Sequence, residues 1–205
     1  MSVTKPVHAL DLLNNLNGAD ISGTTIETGG RQKAAGFQIL PDNAFVLESI
    51  TLRLEDYNTD AGDRALLQIY ADSSRSSISP NGAVLQSLAF NNPMSISDDI
   101  GLFTFTPTTS FTFTQNTRYW LLVDAAAGVY EWRGSGFNPT PASGVAFRDY
   151  QISFDNGARY DRSNTTNAFL VTGRRVAVPF EFNSGLGLGA LIATGVVVRR
   201  RAKKS

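Results

Sequence analysis

The sequence contains no cysteine and only one histidine, His8. The lack of cysteine excludes disulfide frameworks, thiol catalysis and cysteine-ligated metal sites. If His8 belongs to a cleaved leader, the mature protein also lacks an imidazole, which excludes Ser-His-Asp mechanisms and histidine-ligated metals. An enzyme would then depend on a carboxylate pair, drawn from residues such as Glu55 and Glu131, and no spacing singles out such a pair. We therefore expect a protein without catalytic activity and without a cofactor.

Net charge is also absent, because 18 basic residues balance 18 acidic ones. Five of the basic residues stand among the last seven positions: Arg199, Arg200, Arg201, Lys203 and Lys204. Without these five, 13 basic residues stand against 18 acidic ones, a net charge of −5. A mildly acidic surface repels the phosphate backbone, so we expect no nucleic-acid partner.

The C-terminal tail, residues 178–205, has a short motif, an apolar run and a basic end, in that order. The run Leu186–Val198 carries no charge, and as a helix it would span roughly 20 Å of a bilayer core of about 30 Å. Starting the helix at Phe182 adds about 6 Å, and the arginines can reach back towards the headgroups. The tail therefore predicts a single C-terminal hydrophobic helix that crosses a membrane, with the basic end on the cytoplasmic side. The alternative is a buried core helix that ends in a solvated basic tail.

This tail resembles the PEP-CTERM sorting tails, in the variant whose motif reads Pro-Phe-Glu. Pro179, Phe180 and Glu181 occupy the motif position, and Arg199, Arg200 and Arg201 supply the basic stop. The resemblance implies an exosortase-like sorting enzyme as a partner. It also implies an exported precursor that is anchored in the inner membrane and is then delivered to the cell surface or the extracellular matrix.

Export requires a signal peptide, and Met1–Ala9 contains no apolar run of the length that one needs. Val7-His8-Ala9 places small or aliphatic residues where signal peptidase reads them. One hypothesis is therefore that residues 1–9 are the remnant of a longer signal peptide whose start lies upstream of Met1. The alternative is that Ala9–Leu16 forms an ordinary first strand or a short helical turn.

The middle of the chain predicts an all-β domain. In Ser49–Glu55, polar and apolar residues alternate strictly, which places Ile50, Leu52 and Leu54 on one face and Arg53 on the other. Leu102–Thr106 and Ser110–Thr114 show the same period and predict a hairpin around Pro107-Thr108-Thr109. Further strands are predicted at Lys33–Ile39, Ala65–Ala71, Ala83–Phe90, Tyr119–Asp124, Val129–Trp132, Gly144–Arg148, Gln151–Phe154 and Ala168–Thr172.

About ten short strands separated by turn residues indicate an antiparallel, jelly-roll-like β-sandwich over residues 10–173. Residues 174–177 are predicted to be a spacer before the tail. The domain resembles the choice-of-anchor R domain of bacterial surface proteins. The residues that carry this resemblance are Glu48–Leu54, Leu67–Asp72, Gly101–Phe105 and Asn116–Val123. The resemblance implies one sandwich that is found with different anchoring tails, and it implies no particular ligand.

A carbohydrate site is one hypothesis for the second half of the domain. Tyr130, Trp132 and Tyr150 supply rings that could stack on sugars, and Asp149 could accept hydrogen bonds from their hydroxyl groups. Further aromatic and acidic residues surround them in sequence: Phe137, Asp155, Tyr160 and Asp161. The alternative is that Trp132, at the end of a predicted strand, packs on the core.

A calcium loop is a second hypothesis, because oxygen-bearing side chains recur between residues 56 and 63. The candidate ligands are Asp56, Asn58, Asp60 and Asp63. Gly62 stands one residue later than in calcium loops, and Leu67 stands where they have an acid. A polar turn between two strands is therefore the favoured interpretation.

Two classes of function remain from the sequence. The first is a non-catalytic exported protein of the cell surface or extracellular matrix that is transiently anchored in a membrane. The second is a carbohydrate-binding module or adhesin that contacts exopolysaccharide. Exposed rings in the folded domain would favour the second class, and buried rings would favour the first.

Overall fold

The computed structural model describes residues 9–72, 80, 83–84, 89–91, 93 and 99–177. Within them the chain forms fifteen strands and no helix. The strands are β1 (Leu10–Asn14), β2 (Asp20–Glu27), β3 (Gln32–Ile39), β4 (Phe45–Glu55), β5 (Arg64–Asp72), β6 (Ala83–Val84), β7 (Phe90–Asn91), β8 (Gly101–Pro107), β9 (Thr112–Phe113), β10 (Arg118–Ala127), β11 (Val129–Ser135), β12 (Thr140–Pro141), β13 (Val145–Ser153), β14 (Asp161–Ser163) and β15 (Phe169–Arg175).

Two sheets contain these strands. One follows the order β12-β1-β15-β4-β11-β2 and also includes β7, β8 and β9. The other follows the order β14-β13-β3-β10-β5-β6. Each described pairing is antiparallel. The predicted all-β class with antiparallel sheets is therefore confirmed, whereas the predicted C-terminal helix lies outside the described residues.

The core lies between the two sheets, as in a β-sandwich. Ile50, Leu52 and Leu54 of β4 are fully buried, as their alternation predicted, while Arg53 lies on the opposite face. Phe37 of β3, in the other sheet, belongs to the same apolar cluster. No helix of sufficient length and apolar character to cross a bilayer occurs in the described part of the chain.

The predicted Phe/Thr hairpin is wrong. Strand β8 pairs with β4 from Phe105 opposite Ile50 to Gly101 opposite Leu54, and β9 pairs with β4 where Phe113 faces Phe45. The two segments therefore follow one another along the same long strand instead of pairing with each other. Strand β4 is long enough for both, and the Phe side chains of each segment still enter the core.

The first and last described strands lie near the two ends of the described residues. Leu10–Asn14 forms the first strand, within the segment Ala9–Leu16 for which a strand or a helical turn was considered. The hypothesis of a signal-peptide remnant falls on residues 1–9, of which 1–8 lie outside the described residues, and it stays a prediction. Strand β15 continues through Arg174 and Arg175, which pair with Val46 and Phe45 of β4. Two of the four predicted spacer residues therefore belong to the sheet.

Candidate functional site

The three rings predicted to stack on sugars belong to the core. Tyr130, Trp132 and Tyr150 are 2%, 0% and 3% exposed. Tyr130 Oη donates a hydrogen bond to the carbonyl oxygen of Asp124 at 2.6 Å, and Trp132 Nε1 donates to that of Ala168 at 2.9 Å. Their polar atoms are thus paired inside the protein, and the prediction of a ring platform at these positions is wrong. The interpretation that Trp132 packs on the core agrees with its burial.

The predicted calcium loop is a turn whose oxygens serve the backbone. Asn58 Oδ1 accepts hydrogen bonds from the amides of Asp60 and Ala61, at 2.9 and 3.1 Å. Asp63 Oδ2 accepts one from the amide of Asn58 at 2.8 Å, and Asp56 adopts a left-handed φ of 55°. Within the described residues, no group of three or more acidic, histidine or cysteine side chains is placed to hold a metal ion. The polar turn is the interpretation that this geometry supports.

The two glutamates considered as a possible catalytic pair, Glu55 and Glu131, both form ion pairs with Arg133. Glu55 and Glu131 face each other across β4 and β11. Arg133 Nη1 lies 2.8 Å from Glu55 Oε2 and 2.9 Å from Glu131 Oε1, and Arg133 Nη2 lies 2.7 Å from Asp20 Oδ2. The hydrogen bond from Arg133 lowers the pKa of Asp20. This arrangement is an ion-pair network that joins three strands, β2, β4 and β11.

A polar groove of about 180 Å³ lies where three separate segments of the chain meet. One segment is the bulged part of β13, one is the end of β14 with the residues that follow it, and one lies between β11 and β12. The residues that line the groove are Asn138, Phe147, Arg148, Asp149, Tyr150, Arg162, Ser163, Asn164 and Thr166. Two of the predicted carbohydrate-site residues, Asp149 and Tyr150, are therefore at this groove, whereas Tyr130 and Trp132 are not among its lining residues.

A β-bulge forms one wall of this groove. Along β13, Phe147 pairs with Phe37 of β3, and the next pair is Tyr150 with Ala35. Two residues, Arg148 and Asp149, therefore stand opposite the single residue between Phe37 and Ala35. Such bulges redirect side chains and increase the local twist of a strand. The two predicted strands Gly144–Arg148 and Gln151–Phe154 are therefore one strand, β13, with a bulge in it.

Gly36 is the residue opposite the bulge, and its lack of a side chain is required there. A Cβ atom on Gly36 would lie 2.7 Å from the Trp120 ring. The Trp120 ring therefore lies directly over the backbone of β3 at the level of the bulge. Trp120 itself is fully buried in a small apolar cluster with Ala34 and Leu122, separate from the main core.

The electrostatics of the groove combine one acid with several arginines. Burial raises the pKa of Asp149, while a hydrogen bond from Gln151 and the charges of Arg162, Arg118 and Arg148 act in the opposite direction. Arg148 also donates from Nη2 to Gln38 Oε1. Among the described residues, neither Arg148 nor Arg162 takes part in any of the ion pairs. The groove therefore has a positive balance of charge.

Behind the groove lies a buried hub of polar groups centred on Asn15 and Asn167. Asn15 Nδ2 donates to the carbonyl oxygen of Asn167 at 3.0 Å, and Asn15 Oδ1 accepts from the amide of Phe169 at 2.8 Å. Tyr150 Oη donates to the same carbonyl oxygen of Asn167 at 2.8 Å. Ser135 Oγ donates to the carbonyl oxygen of Asn15 at 2.8 Å. The hub joins β11, β13 and the start of β15 to the turn after β1.

Lys33 supports the groove from the inside. It is fully buried, and its Nζ donates to Ser163 Oγ and, at 3.0 Å, to the carbonyl oxygen of Thr165. Nζ also lies 5.4 Å from the centroid of the Tyr150 ring. Burial lowers the pKa of Lys33 to about 7. These contacts hold the segment after β14 in place, so that Ser163 faces both Lys33 and the groove.

Sequence reasoning missed most of this groove. It named Asp149 and Tyr150, but not Arg148, Arg162 or Asn138, because no local pattern connects residues from three segments. The only local signal was the interruption of alternation at Arg148-Asp149, which is typical of a bulge. The predicted sorting motif Pro179-Phe180-Glu181 and the basic stop Arg199–Arg201 lie outside the described residues.

Comparison with protein-family models and with curated proteins gives no match for this chain. The choice of a functional site therefore depends on the geometry of the described domain and on the sequence of the tail.

Proposed function

We propose that this protein is a non-catalytic, exported protein of the cell surface or extracellular matrix, held in a membrane by its C-terminal tail until a sorting enzyme processes it. The order of features in the tail carries this proposal: Pro179-Phe180-Glu181, then the uncharged run Leu186–Val198, then the arginines. The sorting enzyme would be exosortase-like. The antiparallel two-sheet domain is the exported part, in our proposal a jelly-roll-like choice-of-anchor domain.

The described domain supports a role that does not involve catalysis. The acids named as a possible pair are engaged by Arg133, and the predicted rings are buried. The ion-pair network and the buried hub both connect strands, so these polar groups stabilise the fold.

The test is the processing of the full-length protein in its native host. Mass spectrometry should show that the wild-type protein from the outer fractions has lost the basic end Arg199–Arg201. A variant with Pro179→Ala, Phe180→Ala and Glu181→Ala should keep that end and remain in the membrane fraction. The matched control, Asn164→Ala, should be processed like the wild type. Recovery of the intact wild-type chain from the cytosol would overturn the proposal.

A second candidate function is that of a carbohydrate-binding module or adhesin that contacts exopolysaccharide. The observation that favours it is the polar groove, whose amide, hydroxyl and guanidinium groups suit sugar hydroxyl and acidic groups. The ring platform predicted from the sequence has no part in this proposal. Retention of the purified protein on the exopolysaccharide of its host is the test, and a protein that passes through such a column unretained would contradict it.

A further inference from the structure

The groove has more cationic than anionic groups, and this balance indicates what it can bind. Arg148 and Arg162 both line the groove and are both exposed, and neither forms an ion pair within the described residues. Asp149 is the single acidic residue among those that line it. A guanidinium group presents paired N–H donors that match the two oxygens of a carboxylate. Arg162, and the N–H groups of Arg148 other than the one that Nη2 donates to Gln38, therefore suit an anionic group.

The remaining lining residues suit a sugar ring. Asn138 and Asn164 offer amide groups, which can donate to and accept from sugar hydroxyls. Ser163 Oγ accepts from Lys33 and can donate to a sugar, whereas Thr166 Oγ1 donates to the carbonyl oxygen of Ser135 and can accept from one. Phe147 is half-buried and Tyr150 is 3% exposed, with 5.1 Å between their ring centroids, so of the two aromatic side chains that line the groove Phe147 is the more accessible to a sugar. A volume of about 180 Å³ is smaller than the several hundred Å³ of pockets for drug-sized ligands, so one sugar residue is the unit that fits.

Three supports hold these groups in place before any ligand arrives. The bulge sets the direction of Arg148 and Asp149, and Lys33 fixes Ser163 and Thr165 from below. Tyr150 is anchored through Oη to Asn167. A site whose walls are already held loses less conformational entropy on binding.

We propose that this groove binds one acidic sugar residue of a polysaccharide, with Arg148 and Arg162 contacting its carboxylate and the amide and hydroxyl side chains contacting its hydroxyl groups. The inference rests on the second candidate function, carbohydrate binding, and specifies the class of sugar. Binding is reversible and involves no covalent step.

The experiment measures binding of oligosaccharides of glucuronate and of glucose to the full-length protein by calorimetry. Acetate and inorganic phosphate, at the same concentrations, serve as probes for a general anion site. The test variant is Arg148→Gln with Arg162→Gln. The matched control is Arg159→Gln, because Arg159 is an exposed arginine outside the groove that pairs with Asp161. Circular dichroism and thermal melting verify that each variant is folded.

We expect the wild-type protein to prefer glucuronate oligosaccharides over glucose oligosaccharides, and the double variant to bind them roughly tenfold or more weakly. The Arg159→Gln variant should bind like the wild type. Equal affinity for both sugars, with no loss in the double variant, would leave carbohydrate binding intact but overturn the acidic-sugar inference. Acetate or phosphate binding as tightly as glucuronate would overturn it in favour of a general anion site. Failure to bind either oligosaccharide or host exopolysaccharide would overturn the carbohydrate-binding function as well.

Discussion

Tyr150 belongs to two polar clusters, the buried hub and the groove, which differ in how their hydrogen-bonding groups are used. The hub of Asn15 and Asn167 is fully buried, and its side chains donate to and accept from named backbone groups. The groove contains Arg148 and Arg162 without an ion pair in the described part of the chain. Groups paired inside the protein specify the fold, whereas groups left available to solvent can bind a ligand.

Whether a polar group is paired inside the protein distinguishes structural residues from binding residues. The amino-acid composition of the two clusters does not. Both clusters are rich in amides and hydroxyl groups, and both depend on the segment that runs from β14 to β15. Substitutions in the hub should therefore change stability, and substitutions in the groove should change binding. Four experiments examine this comparison, from the largest expected effect on stability to the smallest.

Substitution of Asn15, at the centre of the hub, should cause the largest fall in the free energy of unfolding. In Asn15→Ala, the buried amide of Phe169 loses the side chain that pairs with it, the carbonyl oxygen of Phe137 loses one donor, and that of Asn167 keeps only the Tyr150 hydroxyl. An unsatisfied buried group costs about 1–3 kcal/mol and the other two lost hydrogen bonds about 1 kcal/mol each, so we expect the free energy of unfolding to fall by about 3–5 kcal/mol. Urea denaturation measures it. The control Asn164→Ala, at the groove, should change it by less than about 0.5 kcal/mol. Equal losses in the two variants would contradict the comparison.

Lys33 connects the two clusters and should give stability a pH dependence. The unfolded chain binds the lysine proton with a pKa of 10.5, whereas burial lowers the pKa in the folded protein to about 7. Between these values the unfolded state binds more protons, so the free energy of unfolding rises with pH. From about pH 7 to pH 9.5 we expect a rise of about 2–3 kcal/mol.

Replacement of Lys33 by methionine should remove most of this rise, because the variant has no proton to lose at that position. Urea denaturation at several pH values measures the slope, and Arg159→Gln, which removes an exposed cation, should leave it unchanged. The range ends below about pH 10 because burial raises the pKa of Tyr150, so that tyrosine ionisation of the unfolded chain would oppose the trend. A slope that persists in Lys33→Met would show that another group causes it.

The groove arginines should contribute little to stability. In Arg148→Gln with Arg162→Gln, no ion pair of the described residues is lost, and exposed substitutions usually change stability by less than about 0.5 kcal/mol each. We therefore expect a melting curve close to that of the wild type, measured by differential scanning calorimetry. A loss of more than about 2 kcal/mol would place these arginines with the hub as structural residues.

The sequence predicted those parts of the fold that depend on local alternation. In β4, Ile50 and Leu52 alternate with polar residues, and the structure buries them. The same signal was present in β11, where Tyr130 and Trp132 alternate with charged residues, the pattern of a half-buried strand. Their burial could therefore have been predicted, and the ring platform could have been rejected on that basis.

Long-range pairing could not be predicted in this way. The segments around Phe105 and Phe113 have correct strand periods, but their pairing partner is β4, more than fifty residues earlier in the chain. The groove could not be predicted from the sequence for the same reason. Asn138, Arg148 and Arg162 come from three segments of the chain, and they meet only in the folded domain.

Asp149 should have the smallest effect on the free energy of unfolding. The pH dependence that it causes has the opposite sign to that caused by Lys33. Burial raises its pKa, so the folded protein retains the proton to a higher pH than the unfolded chain does. The free energy of unfolding should therefore fall as pH rises above the unfolded value of 3.8, which is opposite to the trend caused by Lys33 at higher pH. The variant Asp149→Asn removes this contribution. Urea denaturation between about pH 4 and pH 6 should show a less negative slope for the variant than for the wild type. If the two slopes are equal, Asp149 is as well solvated in the folded protein as in the unfolded chain, and the wall of the groove is more open than its burial implies.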